Sequence, residues 1–231
     1  MSEDHIVRAL QDFSSCDVSD ALQKLGHPHG GFLSDLTLWS PQRQEGPTKI
    51  IGPAYTVKYI PKDQPANSTH KGHYIDTLPP HSILFISAPP TTTNAVYGGL
   101  MSNRAKYLNA AGTIVDGRIR DLQEHRDLGY PVFARGVGTA APQGEVKVGE
   151  INGPVQFLFG DKEMTISPGD YLIGDLNGVV CLPKALADKA VALMGSQVEA
   201  DERIARDLAR GRSFQEASRE HRARVKRAEN L

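Results

Sequence analysis

The sequence predicts one compact α/β domain, with β-rich layers in the middle and helices at both ends. Three observations predict it. Apolar residues return at helical spacing near both ends of the chain. The short β-branched run Thr113 to Val115 reads as a buried strand that hands over to a polar helical segment. From Gly149 onward, short strands recur between Gly-Asp, Pro-Gly-Asp and Asp-Leu-Asn-Gly turns, as in hairpin connections.

A chain of 231 residues can bury one sizeable core or two small ones. The segments group as a helical N-terminus (1–26), an α/β core (27–183) and C-terminal helices (184–231) of a single domain. A formal net charge of -1 supplies no field that favours nucleic acid or an anionic membrane. Two cysteines, Cys16 and Cys181, suggest no disulfide framework and fit a reducing compartment. Met1 to His5 is acidic and polar, unlike a signal or transit peptide. No apolar run approaches the ~20 residues that span a bilayer. The expectation is a cytoplasmic protein with no membrane or nucleic-acid partner.

Taken in order, Ile6, Val7, Leu10 and Phe13 mark one face of a helix over His5 to Phe13. Ser14 to Asp17 offers cap residues for a second helix that runs to Leu25 and stops at Gly26; Asp20 within it reads as a solvated carboxylate. Gly30-Gly31-Phe32 is a turn, and Ile50 to Ile60 contains a strand at Ala54 to Tyr59. Lys62 to Gly72, with Pro65 and Asn67, is a polar loop. His73 and Asp76 have a spacing open to metal ligands, but a polar helix face beside a pocket explains them as well. Ser82 to Ala88 is a buried strand, and Pro89-Pro90 with three threonines is a loop leading to Gly98-Gly99. Met101, Ala105 and Leu108 then follow helical spacing, and Gly112 closes that helix.

Asp116-Gly117 breaks the strand at Thr113 to Val115, and Leu122 to Leu128 reads as a short helix. Val132 to Arg135 precedes a Gly/Ala/Pro-rich stretch, Gly136 to Gly144. Strands follow at Val155 to Phe159, Met164 to Ile166, Tyr171 to Ile173 and Val179 to Leu182. Asp161, Asp170 and Asp175 sit in the turns, where Asp bonds its own backbone. The chain is helical from Lys184 to about Gly211, with Ala187, Val191, Met194 and Val198 on its apolar side. Ser213 to Glu216 is a capping box opening a last, very polar helix. Its Arg219, Arg222, Arg224, Lys226 and Arg227 interleave with Glu216, Glu220 and Glu229, as on a solvated or subunit-packing helix.

Arg120 and Asp121 stand where a strand hands over to a helix, the edge at which α/β sheets bind ligands. Gly98-Gly99 precedes a helix N-terminus, whose unpaired N–H groups favour an anion. Arginine clamps a carboxylate with two parallel hydrogen bonds. A lone aspartate can hold Mg²⁺, which fills its octahedron with water and substrate. Bland readings stand beside these: a Gly-Gly turn, an Asp-x-x-Glu helix cap at Asp121 and Glu124, and a surface ion pair at Arg120.

Several segments together resemble the RraA-like group: Cys16 to Ala21, Gly52 to Val57, Tyr97 to Ser102, Gly112 to Asp121, Pro168 to Asp175 and Gly178 to Val180. The group contains metal-dependent 4-hydroxy-4-methyl-2-oxoglutarate (HMG) aldolases and related oxaloacetate decarboxylases. The run Arg120 to Arg126 is most similar to its eukaryotic, fungal-type branch. The resemblance implies an α-β-β-α sandwich of the swivelling β/β/α type, assembled as a homotrimer or hexamer. It also implies a keto-acid substrate whose carboxylate meets Arg120 and the amides of Gly98, Gly99, Leu100 and Met101. Asp121 would anchor Mg²⁺ or Mn²⁺, a Lewis acid for the keto group. HMG cleavage and oxaloacetate decarboxylation would then share a pyruvate enolate. Arg120 and Asp121 are thus the expected catalytic pair.

One departure is visible. Bacterial members often carry an acidic residue where this chain has Gly99; Asp116 could replace it, though a turn role fits Asp116 equally. Glu124 and His125 are expected at the solvent or pocket rim, outside the site. The resemblance leaves two alternatives: an aldolase for another keto acid, or a non-catalytic regulator that binds a ribonuclease. Retention of Asp121 favours the enzyme.

Overall fold

In the computed structural model, which describes residues 4–66, 72–160 and 162–228, the chain opens with helices α1 (His5–Leu10) and α2 (Ser15–Lys24). A capping box between Ser14 and Asp17 starts α2. Strands β1 (Phe32–Leu33), β2 (Thr37–Ser40), β3 (Ile50–Pro61), β4 (Ile83–Ser87) and β5 (Ala95–Tyr97) follow. Then come α3 (Gly99–Tyr107), β6 (Gly112–Ile119), α4 (Leu122–Asp127), β7 (Val132–Val137) and β8 (Val146–Ile151). The chain ends in β9 (Val155–Phe159), β10 (Lys162–Ile166), β11 (Tyr171–Asp175), β12 (Gly178–Leu182), α5 (Ala187–Ala209) and α6 (Phe214–Ala228).

The main sheet runs β1-β12-β11-β3-β4-β6-β7-β2, with β5 added on β6 and β8 on β3. Its β3-β4-β6-β7 section is parallel, while β11 and β12 pair antiparallel. Side-chain alternation sorts each strand between two layers. Ile83 and Phe85 of β4 face Leu172, Val179 and Cys181 of the antiparallel section, together with Val155, Phe157, Met164 and Ile166 of the β9-β10 hairpin. Leu84 and Ile86 face the other way, onto Ala105 and Met101 of α3 and Leu122 of α4. Ile173, Val180 and Leu182 turn outward to Leu10, Val18, Leu22 and Met194 of α1, α2 and α5. Helices, sheet, sheet and helices therefore stack in four layers, the α-β-β-α arrangement that the family resemblance implies.

Several expectations need correction. Gly112 does not close α3; the helix ends at Tyr107, Asn109 turns left-handed, and Gly112 is the first residue of β6. Asp116-Gly117 does not break the strand, because Asp116 is buried against Arg135 and the strand absorbs the disturbance as a register shift. Helix α1 stops at Leu10, short of Phe13. The short strands β1, β2, β5 and β8 are additional. Asp170 and Asp175 do bond backbone amides, those of Ser167 and Lys184 and of Ser15 and Asn177. Asn67, Asp161, Glu229 and the side chains of Arg224, Lys226 and Arg227 lie outside the described residues, as do Met1 to Glu3. No helix among the described residues is long and apolar enough to cross a membrane.

Phe133 lies in the seam between the sheets, fully buried, its ring 3.0 Å from where a side chain on Gly174 would begin. Phe133→Ala should cost about 3–5 kcal/mol, read as a lower urea midpoint at constant slope. A cost below about 1 kcal/mol would contradict a packed seam at this residue.

Candidate active site

Two strand-to-helix junctions meet at one edge of the parallel sheet. Strand β5 delivers Gly98 to the start of α3, and β6 delivers Arg120 and Asp121 to the start of α4. The strands pair in parallel, Ala95 beside Arg118 and Tyr97 beside Ile119, so their carboxyl ends lie together. The Arg120 N–H donates to the Tyr97 carbonyl at 2.9 Å and locks the junctions side by side.

Asp121 occupies the N-cap position of α4 yet makes no side-chain cap bond. Its backbone is left-handed (φ 59°, ψ 42°), a conformation Asp tolerates better than most residues. That turn carries the carboxylate across to α3, where Oδ2 accepts the Gly99 N–H at 3.1 Å. The helix-cap reading therefore fails for Asp121's own helix, and α3 is capped by a residue of another element. The Arg120 Nε lies 3.5 Å from the same Oδ2, a loose pair with both side chains roughly a third exposed or more (40% and 34%). No described residue bonds Asp121 Oδ1 or the two terminal nitrogens of Arg120.

The two glycines are bare for a steric reason. A side chain at Gly98 would begin 2.6 Å from Asp121 Oδ2 and 3.3 Å from Arg120 Nε. One at Gly99 would begin 2.7 Å from Glu124 Cδ and run into its carboxylate. Of the four amides expected to meet a ligand, the Gly99 N–H is held by Asp121 and the Met101 N–H by the Gly98 carbonyl. No described residue accepts the N–H groups of Gly98 and Leu100.

Beneath this surface lies a buried polar network. Ser102 and Thr113 both donate to the Tyr97 hydroxyl at 3.0 Å, and Tyr130 meets Thr113 at 3.2 Å. His125 Nδ1 meets Ser102 Oγ at 2.8 Å, and its ring stacks on Tyr97. With Ser102 donating to Tyr97, His125 Nδ1 must be the donor in the next link. His125 was expected at the rim; it is completely buried, because its Ser102 and Tyr97 partners lie under α3. Burial holds its pKa below the usual imidazole range, against the opposing pull of the Arg120 backbone and Asp121. Glu124 is exposed, but it lies against Gly99 rather than pointing away.

A cavity of about 240 Å³ opens over the pair, lined by Tyr97, Gly98, Leu100, Met101, Arg120 and Asp121 on one side. Tyr59, His73, Tyr74, Ala95, Val96, Pro142 and Gln143 complete it; of these only His73 was singled out in the sequence, as a residue beside a pocket. Asp76 does not join His73 there; it pairs with Arg104 at 2.8 Å. A larger cavity, about 380 Å³, holds Asp116, Arg118 and Arg135. Its carboxylate is already consumed by Arg135, so Asp116 does not replace an acid at the Arg120-Asp121 site. The smaller cavity is the chemically open one.

Among the described residues no three His, Cys, Asp or Glu side chains cluster to enclose a metal ion. The donor set instead fits a hard cation of the Mg²⁺ type, which takes one carboxylate and completes its shell with water and ligand. Asp121 Oδ1 is free for that role.

The layers and this edge define an α/β protein with an open cavity beyond its parallel strand ends. Within that class the chain belongs to the RraA-like family, described as Aldolase/RraA, which its residues 15–181 match. It is 31% identical over 222 residues to protein DlpA of Legionella pneumophila, covering 94% of this chain and 34% of that one. It is 35% identical over 136 residues to a Halalkalibacterium halodurans protein provisionally named 4-hydroxy-4-methyl-2-oxoglutarate aldolase, covering 59% of this chain and 60% of that one. The chain thus spans about a third and three-fifths of these relatives' lengths. The solved structure of Streptomyces coelicolor RraAS2 is described as an unusual member of the RNase ES inhibitor RraA protein family. It matches with a TM-score of 0.71 at 26% identity, over 91% of this chain and 98% of that one.

Tyr97→Phe would leave the Ser102 and Thr113 hydroxyls without their shared acceptor. A loss of about 1–3 kcal/mol in unfolding free energy is expected. Unchanged stability in denaturant titration would show that this network does not hold the junctions together.

Proposed function

We propose that the protein is a divalent-metal-dependent carbon–carbon lyase of the fungal-type branch, releasing pyruvate from HMG-type 4-hydroxy-2-keto acids and decarboxylating oxaloacetate. The observation that carries this reading is the Asp121 carboxylate, turned off its own helix and held beside Arg120 with Oδ1 free over the cavity. Family membership and the aldolase name of the H. halodurans relative support it. The fungal-type run Arg120 to Arg126 supports the branch.

In this reading the Arg120 terminal nitrogens take the substrate carboxylate as a bidentate clamp. The open Gly98 and Leu100 N–H groups, at the positive end of α3, face the same negative charge. Asp121 holds Mg²⁺ or Mn²⁺, and the cation supplies Lewis acidity at the keto oxygen. Breaking the C3–C4 bond leaves a pyruvate enolate from either substrate, so one site serves both reactions. The exposed Leu100 (76%) and Tyr107 (74%) on α3 beside the cavity suit burial between copies in a homotrimer or hexamer. A cytoplasmic setting suits the free Cys16 and Cys181.

The S. coelicolor likeness favours a second reading, a regulator that binds a ribonuclease without chemistry. An aldolase for a different keto acid is the third. A coupled pyruvate-release assay on HMG and oxaloacetate, with and without EDTA, separates them. Release should require the cation, and oxalate, a planar mimic of the enolate, should inhibit competitively. Activity that survives exhaustive chelation would refute metal dependence.

Asp121→Asn keeps the shape, the left-handed tolerance and an acceptor for Gly99. Stability should move by no more than about 0.5 kcal/mol. Metal affinity and both activities should fall together; the loss of only one would refute the shared enolate. Arg120→Lys keeps charge and loses the clamp, so transition-state stabilisation should drop by about 2–4 kcal/mol. Wild-type kinetics would return Arg120 to the surface.

A further inference from the structure

The cavity over Arg120 and Asp121 holds polar groups that the chemistry above leaves unused, and they come from other parts of the chain. His73 precedes a single 3₁₀ turn, Tyr74–Thr77, and lines the cavity. Gln143, in the turn Pro142–Gly144, lines it too. Arg104 of α3 pairs with Asp76 at 2.8 Å and fixes the first turn against that helix. His73 therefore stands next to the helix whose start carries the Gly98 and Leu100 amides. In a cavity of about 240 Å³, a ligand seated on Arg120 and Asp121 is never far from the rest of the lining.

The His73 ring is oriented from two sides. Its Nδ1 accepts the Ile75 N–H at 3.3 Å and caps the turn. The ring also packs on the buried Tyr74, with centroids 4.5 Å apart. In a neutral imidazole one nitrogen accepts and the other donates. The cap bond takes the Nδ1 lone pair, so Nε2 carries the proton. No described residue accepts that Nε2–H. A ring in this tautomer is a donor at the cavity and not a base. Charge points to what it would meet. Asp121 is the one acid among the described residues that line the cavity. With a divalent cation on Asp121, the cation and Arg120 outweigh that carboxylate by two positive charges. A keto acid with one carboxylate leaves one of these unmatched, and a second carboxylate matches it.

We infer that His73 is a specificity-determining residue whose Nε2–H donates to the distal carboxylate of a dicarboxylic 2-keto acid. The inference rests on the lyase reading above, which seats the near carboxylate and the keto group on Arg120 and Asp121. His73 then selects substrates by their far end, and it moves no proton in the bond-breaking step. The cap bond to Ile75 keeps the donor in place before the ligand arrives, so little ordering is left to be done on binding.

2-Oxoglutarate and 2-oxopentanoate test this. They share a chain length and differ at the far end, carboxylate against methyl, and neither carries the C4 hydroxyl that cleavage needs. Calorimetry on the full chain with saturating Mn²⁺ should show 2-oxoglutarate bound about tenfold or more tighter, the scale of a hydrogen bond to a charged group. His73→Asn keeps a cap acceptor for Ile75 and removes the ring donor. In this variant the preference should shrink to less than about threefold. Its thermal melt, and its affinity for oxalate, which has no distal group, should match the wild type. Equal binding of the two keto acids by the wild type, or a preference that survives His73→Asn, overturns the assignment and leaves the lyase reading standing. A preference lost in Gln143→Ala but kept in His73→Asn moves the donor to the other turn, and again overturns it. Wild-type protein that binds neither oxalate nor either keto acid refutes the lyase reading, and this inference with it.

Discussion

The hydrogen bond from the Gly99 N–H to Asp121 Oδ2 carries a side chain across the two strand-to-helix junctions on which the candidate site is built, beside the backbone bond from Arg120 to Tyr97. Three conditions allow it. β5 and β6 run parallel and end together. Asp121 takes a left-handed backbone, which costs an L-residue about 1–2 kcal/mol and Asp less than most. Gly98 carries no side chain where the carboxylate must pass. Helix α4 is left without a side-chain cap in consequence, and α3 gains one from outside itself.

The floor under that bond is rigid for a different reason. The hydroxyls of Tyr97, Ser102, Thr113 and Tyr130 pair with one another and with His125 Nδ1 in a buried region, where an unpaired hydroxyl is costly, while His125 Nε2 has no partner among the described residues. The surface above is looser. The Arg120-Asp121 pair is long and partly exposed, so it contributes little to stability and gives up little when a ligand arrives. Asp116 and Arg135 show the opposite case: burial pushes the Asp116 carboxyl up while the arginine pulls it down, and Arg135 reaches Asp35 and the Leu158 carbonyl as well.

Much of the frame was legible. The apolar run Ile83 to Ile86, the cap residues Ser14 to Asp17 and the repeated strands after Gly149 are local patterns, and each produced the element expected. The Arg120-Asp121 junction was legible too, because strand chemistry and turn chemistry change sharply there. Short edge pieces such as β1 and β5 carry too few residues to show a period. Asp116-Gly117 looked like a breaker because the partner that keeps it in a strand, Arg135, lies on another strand. His125 was misplaced for a similar reason, since its partners Ser102 and Tyr97 are more than twenty residues upstream.

Strand β3 belongs to both sheets. Ile50 to Pro53 pairs with β11, Ala54 to Lys58 with β4, and Val57 to Pro61 with β8. Its side chains accordingly enter all three apolar clusters: Ile51 under α1 and α2, Ile50 and Ala54 in the seam, Tyr55 and Val57 near the cavity wall. A strand shared in this way couples the two halves mechanically. Neither sheet can peel away without breaking a ladder of the other, so amide protons along β3 should be among the last to exchange, and opening at the cavity edge is tied to the fate of the distant helical layer.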